Sequence, residues 1–287
     1  MANGRLGLRT RPGLVRPDTE VFQFKNFLLN DYPAYAAYSL RLLNSAYTGS
    51  AIKVRRSGDN TEQNIGFDAY GNLDEVRLKE FVGSNNGFVT TWYDQSGNLR
   101  DLVQSTAANQ PQIVVSGIVL NNQNRVTVRF DGTNDSLTLS SLGLTSEYVS
   151  VFSVQKNDDN GSGDLDEIFG IGNQSNGRAR FNAIVFGNYL SAGFASNLTI
   201  SAASCFQYIH ISHFDNANDT IYGQINNETE QNASRTLANM SSPAITIGSL
   251  SGAFYKGFFN EGIIYSSDQR SNTSGIISNL NDYYKVY

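Results

Sequence analysis

The sequence predicts a mainly β protein: a two-sheet antiparallel sandwich with a few short helices and an extended N-terminal arm. Three observations carry this. Short runs of alternating apolar residues recur through the second half of the chain, from RVTVRFDG at residue 125 to FFNEGIIYS at 258. Gly, Asn and Asp stand at the joints between them, where turns need Asx-type or left-handed backbone. Only 16% of the 287 residues are charged, while 17 Phe and 15 Tyr supply side chains that suit pleated, half-buried surfaces.

Taken in order, residues 1–30 read as the arm and 31–287 as one sandwich domain. Arg5, Arg9, Arg11 and Arg16 are spaced among glycines and prolines with no acid before Asp18, a composition that cannot build a core. The expectation is a basic docking arm that orders against a partner, the arginines meeting acidic grooves. In DYPAYAAYSLRLLNSAYTG, Tyr35, Tyr38 and Leu42 fall on one face at helical spacing, and Pro33 suits a first turn, so a helix is expected there. AIKVRR (51–56) and QNIGF (63–67) read as a hairpin around GDN, and NLDEVRLKEFVG as a second helix capped by Asn72. FVTTWYDQSG is a strand running into a turn. In RVTVRFDG, Val126, Val128 and Phe130 take one side and Arg125, Thr127 and Arg129 the other. The end, SNTSGIISNLNDYYKVY, reads as a closing helix with Ile276, Ile277, Leu280 and Tyr284 inward.

Composition narrows the function. A net charge of −5 gives no general attraction to nucleic acid, no apolar run approaches a membrane span, and the first residues show no apolar leader core. One cysteine, Cys205, excludes an internal disulfide framework and reads as a buried, inert thiol. There is no G-x-S-x-G, and FGIGNQSNG has Ser175 where a dinucleotide fingerprint needs its third glycine. His210 and His213, the two histidines, lie three apart on a strand and so on opposite faces, which argues against a shared metal.

Two stretches are ambiguous. DDNGSGDLDEIF (158–169) places Asp158, Asn160, Asp164 and Asp166 where a calcium loop has ligands, but Phe169 stands where the bidentate Glu should be. A solvated acidic loop is the stronger reading, and no cofactor is expected beyond a weak calcium possibility. TTWYDQSG (90–97) carries the single tryptophan beside a carboxylate, an amide and a hydroxyl. Trp92 and Tyr93 are candidate glycan contacts, yet they point to opposite faces of the strand, and Asp94 and Ser96 suit a hydrogen-bonded turn. The turn is the favoured reading.

AYSLRLLNSAYTGSAIKVRRSGDNTEQNIGF, continuing through FVTTWYDQSGNLRDLVQ, resembles the start of the catalytic domain of family 54 α-L-arabinofuranosidases. RVTVRFDGTNDSLTL, ITIGSLSGAFYKGFFNEGIIYSS and the closing helix resemble the wider laminin-G and concanavalin A-like superfamily, which implies a jelly-roll sandwich. The resemblance places the nucleophile at Asp166 or Glu167 in GDLDEIFG. It places the acid in a Gly-Asp-Asn turn, where this chain has Gly248 followed by Ser249, Leu250 and Ser251, and it implies a pair of adjacent cysteines that one cysteine cannot supply. A neutral turn cannot protonate a leaving group. The same sandwich with a short basic N-terminus also resembles virion proteins of tailed phages, head fibres and tail fibres among them. The expectation is therefore a non-enzymatic, oligomeric virion protein on the particle surface. It would be anchored to other virion proteins through residues 1–20 and could adhere to a cell-surface glycan. An arabinofuranoside-cleaving enzyme is the alternative.

Overall fold

The computed structural model describes residues 26–144, 146–158, 166–172, 178–184, 187–192, 197–200, 207–234, 244–250 and 253–287. Two antiparallel sheets face each other, and helix covers the back of one of them. The first sheet runs, neighbour by neighbour, through strands Ile118–Val119, Gln112–Val115, Val128–Asp131, Lys256–Tyr265, Tyr148–Asn157, Tyr208–Asp215, Thr220–Ile225 and Gln231–Ser234. Ala36–Ser39 also pairs with Lys256–Tyr265. The second sheet begins Glu62–Ile65, Ile52–Arg56, Gly87–Trp92, Leu102–Val103 and Leu137–Leu139. It continues through Ile245–Ile247, Asp166–Gly172, Arg178–Ile184, Gly187–Ala192 and Asn197–Ile200. Gly87–Trp92 also pairs with Gln112–Val115, and there the sheets join.

Side-chain alternation builds the core between the sheets. Val128 and Phe130 are buried and Val126 packs against the same cluster, as RVTVRFDG predicts. Trp92 meets Phe259 of the opposite sheet edge-on, with ring centroids 6.0 Å apart. The hairpin around Asp59 and Asn60 joins Ile52–Arg56 to Glu62–Ile65, and Asn60 takes the left-handed backbone (φ 61°) that such a turn needs.

A second core lies on the other side of the first sheet. Helix Thr273–Tyr284 sends Ile276, Ile277, Leu280 and Tyr284 inward, as its spacing predicts, onto Phe152, Ile209, Ile211 and Ile263. The short helix Leu28–Asp31 buries Leu28 and Leu29 in the same layer, so residues 28–30, read as arm, pack with the body.

The helix expected after Pro33 is instead the strand Ala36–Ser39. Ala36 and Tyr38 face the core between the sheets while Ala37 faces the helix layer, so both faces are buried. An apolar run buried on both faces has no period by which to tell strand from helix. A buried ion pair follows it: Arg41 Nε donates to Glu261 Oε2 at 2.8 Å, and Ser39 Oγ and Tyr284 Oη donate to the same oxygen. The helix Glu75–Val82 is capped by Asp74, whose carboxylate accepts the Arg77 N–H, and not by Asn72. Asn72 accepts from Tyr283 Oη of the closing helix.

Candidate functional site

TTWYDQSG resolves into a clamp on the strand Ala36–Ser39. Asp94, buried at 2% exposure, accepts from the Ala37 and Ser96 N–H groups, from Ser96 Oγ and from the Arg100 N–H, at 2.7–3.1 Å. Gln95 accepts from the Leu43 N–H and donates to the Ser39 and Arg41 carbonyls. The pair thereby satisfies backbone groups of the strand and of the segment that follows it. Trp92 is fully buried, which removes it as a glycan contact. Tyr93 is half-buried, with its hydroxyl donating to Asn64.

The strand that carries Asp166 and Glu167 lies against the strand that leads into the Gly248–Ser249 turn. In register, Leu137, Ile247 and Phe169 form one row across three strands, and Leu137 and Ile247 are buried in the core. Asp135 lies two residues before Leu137, Ser249 two after Ile247 and Glu167 two before Phe169. An irregularity between Glu167 and Phe169 shifts the alternation at this end of the strand, a device common beside functional sites. Adjacent strands lie about 4.8 Å apart, so the two strands flanking Ile245–Ile247 are separated by roughly 10 Å of backbone. Gly248 has φ +93°, and a β-carbon there would collide with the Phe130 ring and lie 2.8 Å from the Asp135 carbonyl. Only glycine lets the turn Asp131–Asp135 come this close.

Asp135 was not singled out in the sequence. Its carboxylate, 6% exposed, accepts the Asp131 N–H at 3.0 Å. Burial, and then the Asp131 charge, push it up to about 7, against the pull of that N–H and of Arg129. It is thus an acid that holds its proton close to neutral pH. The sequence signal was faint: an Asp four residues after another in FDGTND reads equally well as turn chemistry.

The opposite register row of this sheet faces away from the core. Lys53, Thr91, Val103, Thr138 and Thr246 stand side by side, all of them partly or well exposed. They form a polar, threonine-rich shelf that leads to Gly170 on the Glu167 strand.

The other predicted sites come together less. Arg5, Arg9, Arg11 and Arg16 lie outside the described residues, as do Asn160, Asp164 and Cys205. Asp158 is exposed and 3.7 Å from Lys156 Nζ, and Asp166 begins a strand. Among the described residues no cluster of His, Cys, Asp and Glu could hold a metal. His210 and His213 are both buried, on opposite faces of their strand as expected, and burial lowers them to about 3 and about 4, so both are neutral imidazoles.

Residues 28–135 match the family model of the catalytic domain of α-L-arabinofuranosidase B. The fold is similar to that of an arabinofuranosidase solved with arabinofuranosyl-α-1,2-xylobiose (TM-score 0.64, 17% identity), over 87% of this chain and 62% of that one. A family 54 α-L-arabinofuranosidase soaked with a cyclic sulfate inhibitor matches equally well, with 63% of its chain covered. The sialidase of Trypanosoma rangeli is more distant, at a TM-score of 0.51 and 11% identity over 68% of this chain and 32% of that one. None of the curated proteins matches the chain. At these identities the structural likeness establishes the sandwich fold, and this chain spans under two thirds of the arabinofuranosidases' length.

These matches overturn the expectation of a non-enzymatic virion protein on a particle surface. A sandwich scaffold hosts unrelated functions, so a likeness of scaffold could not separate a fibre domain from a hydrolase. The specific match, over the segment that holds the clamp and the Asp131–Asp135 turn, is to the model of a glycoside hydrolase's catalytic domain.

Proposed function

We propose that the chain is a glycoside hydrolase of the arabinofuranosidase type, removing arabinofuranosyl units from an arabinose-containing polysaccharide. The observation that carries this reading is the match of residues 28–135 to an arabinofuranosidase catalytic domain. Such hydrolysis needs one carboxylate to attack and one acid to protonate the leaving oxygen. In this reading Glu167 attacks the anomeric carbon. The glycosidic oxygen takes its proton from Asp135, which then removes a proton from the water that hydrolyses the glycosyl–enzyme. Asp135 takes this role because Ser249 and Leu250 cannot donate and its backbone touches their turn.

The test compares two substrates, 4-nitrophenyl arabinofuranoside and arabinofuranosyl-xylobiose. Glu167→Gln should slow both by roughly a thousandfold or more, whereas Asp166→Asn should not. Asp135→Asn should slow the xylobiose substrate by about 10²–10⁴-fold and the nitrophenyl one far less, because nitrophenolate leaves without a proton. A change of Asp135 that acted only through folding would slow both substrates alike. The rate on arabinofuranosyl-xylobiose should fall as pH rises past about 7, where Asp135 loses its proton. If the wild-type protein releases no arabinose from either substrate, the hydrolase reading is wrong.

A further inference from the structure

The closing helix does not cover the whole back of the first sheet. Its apolar face packs on strands Ala36–Ser39, Tyr148–Asn157, Tyr208–Asp215 and Lys256–Tyr265, and the second core includes nothing from Thr220–Ile225 or Gln231–Ser234. Beside the helix, against Gln224 of the first of these strands and Asn227 and Glu230 of the turn that joins the two, lies a cavity of about 630 Å³. That is within the roughly 300–1,000 Å³ typical of small-ligand sites. It is on the far side of the first sheet from Glu167 and Asp135, so it belongs to neither the shelf nor the catalytic strands.

Its walls are chemically mixed. Gln224 and Arg270 supply donors, Glu230 and Asp282 supply carboxylate acceptors, Ser278 adds a hydroxyl, and Ile277 gives an apolar patch. Arg270 is already engaged: it donates to Asp268 at 2.6 Å, stands 3.7 Å from Asp215 and lies over the Tyr222 ring. Its charge is balanced within the protein, and the remaining carboxylates leave the cavity with no excess of positive charge for a phosphate or carboxylate ligand. Behind Glu230 sits His213, 3.8 Å from its carboxylate, neutral and held by Ser150 and Thr273. A neutral polyhydroxy ligand suits such a wall, because each hydroxyl can donate to a carboxylate and accept from an amide or guanidinium while its C–H face meets an aliphatic side chain.

We propose that this cavity is a second carbohydrate site, binding a short stretch of the polysaccharide on the face opposite the catalytic strands. The identity of the sugar rests on the hydrolase reading; the site does not. Arabinofuranosyl-xylobiose is titrated by calorimetry into Glu167→Gln protein, and into the same protein carrying Ser278→Trp or Glu230→Gln. Ser278 is exposed on the helix, so a tryptophan there fills the cavity without entering the core. The expected result is two binding events in the parent, one of them weakened at least tenfold by Ser278→Trp and by Glu230→Gln. A single event that neither change alters overturns the proposal. So does a cavity that takes a lysine-rich peptide, lost on Ser278→Trp, but no sugar, which would make it a site for cationic ligands. Arabinose release with one unaltered binding event leaves the hydrolase reading standing and this site refuted. No arabinose release, with sugar binding lost on Ser278→Trp, does the reverse.

Discussion

Two turns in this protein are built around a buried aspartate, and they treat it differently. Asp94 is surrounded by donors: three backbone N–H groups and a hydroxyl reach its two oxygens. Asp135, a similar distance into its own turn, receives one backbone N–H among the described residues and faces the Asp131 charge. A buried carboxyl short of donors is pushed up, as Asp135 is, because burial disfavours its charged form. Residue type and burial are alike at the two positions. What distinguishes a structural clamp from an acid able to donate is the number of N–H groups aimed at it.

The sharpest way to break this comparison is Asp94→Ala. It leaves the fully buried Ala37 N–H and its companions without an acceptor, and should cost on the order of 3–5 kcal/mol of stability, read from the shift in a urea midpoint. A loss under about 1 kcal/mol would show that the clamp is dispensable. Gln95→Ala should cost less, about 2–3 kcal/mol, since one N–H and two carbonyls lose their partner. Asp135→Asn should cost least, because the amide oxygen still accepts the Asp131 N–H.

The third change is the more informative in its pH dependence. The Asp135 carboxyl is pushed up to about 7 in the folded protein from 3.8, so folding binds its proton more tightly. Its contribution to stability is complete below about 4 and is lost as pH rises through about 7. The wild-type protein should therefore lose stability between these values more steeply than Asp135→Asn. Equal slopes, measured by urea unfolding across that range, would mean that burial does not raise the Asp135 carboxyl.

Much of this was legible in the sequence. The hairpin at 52–65, the alternation of RVTVRFDG and the inward face of the closing helix depend on neighbours two to four residues away, and such patterns survive without knowledge of the rest of the chain. The turn role of Asp94 and Ser96 was legible for the same reason, because two of their bonds are local. The strand Ala36–Ser39 was not. Helix and sheet compete for an AAY run, and the choice was made by Lys256–Tyr265, more than two hundred residues on, and by the Asp94 and Gln95 side chains. Asn72 looked like a helix cap, and Asp74 two residues later took the role because Asn72 was already bonded to Asp68 and Tyr283.

By itself, then, the sequence determined a mainly β sandwich with a closing helix, a net acidic chain, and a D-Q-S-G turn. These follow from periodicity and composition, which are local or global sums. It determined that Trp92 and Tyr93 face opposite ways, since alternation is a property of any strand. Only the tertiary structure decided that the tryptophan is the one turned inward, against Phe259. Only the structure placed residues 137, 247 and 169 in one row, bringing Asp135 and the Glu167 strand to either side of the Gly248 turn. Pairing between strands so distant along the chain is selected by burial of whole faces, and a carboxylate's proton by the donors that this burial leaves within reach. Neither quantity exists until the chain has folded.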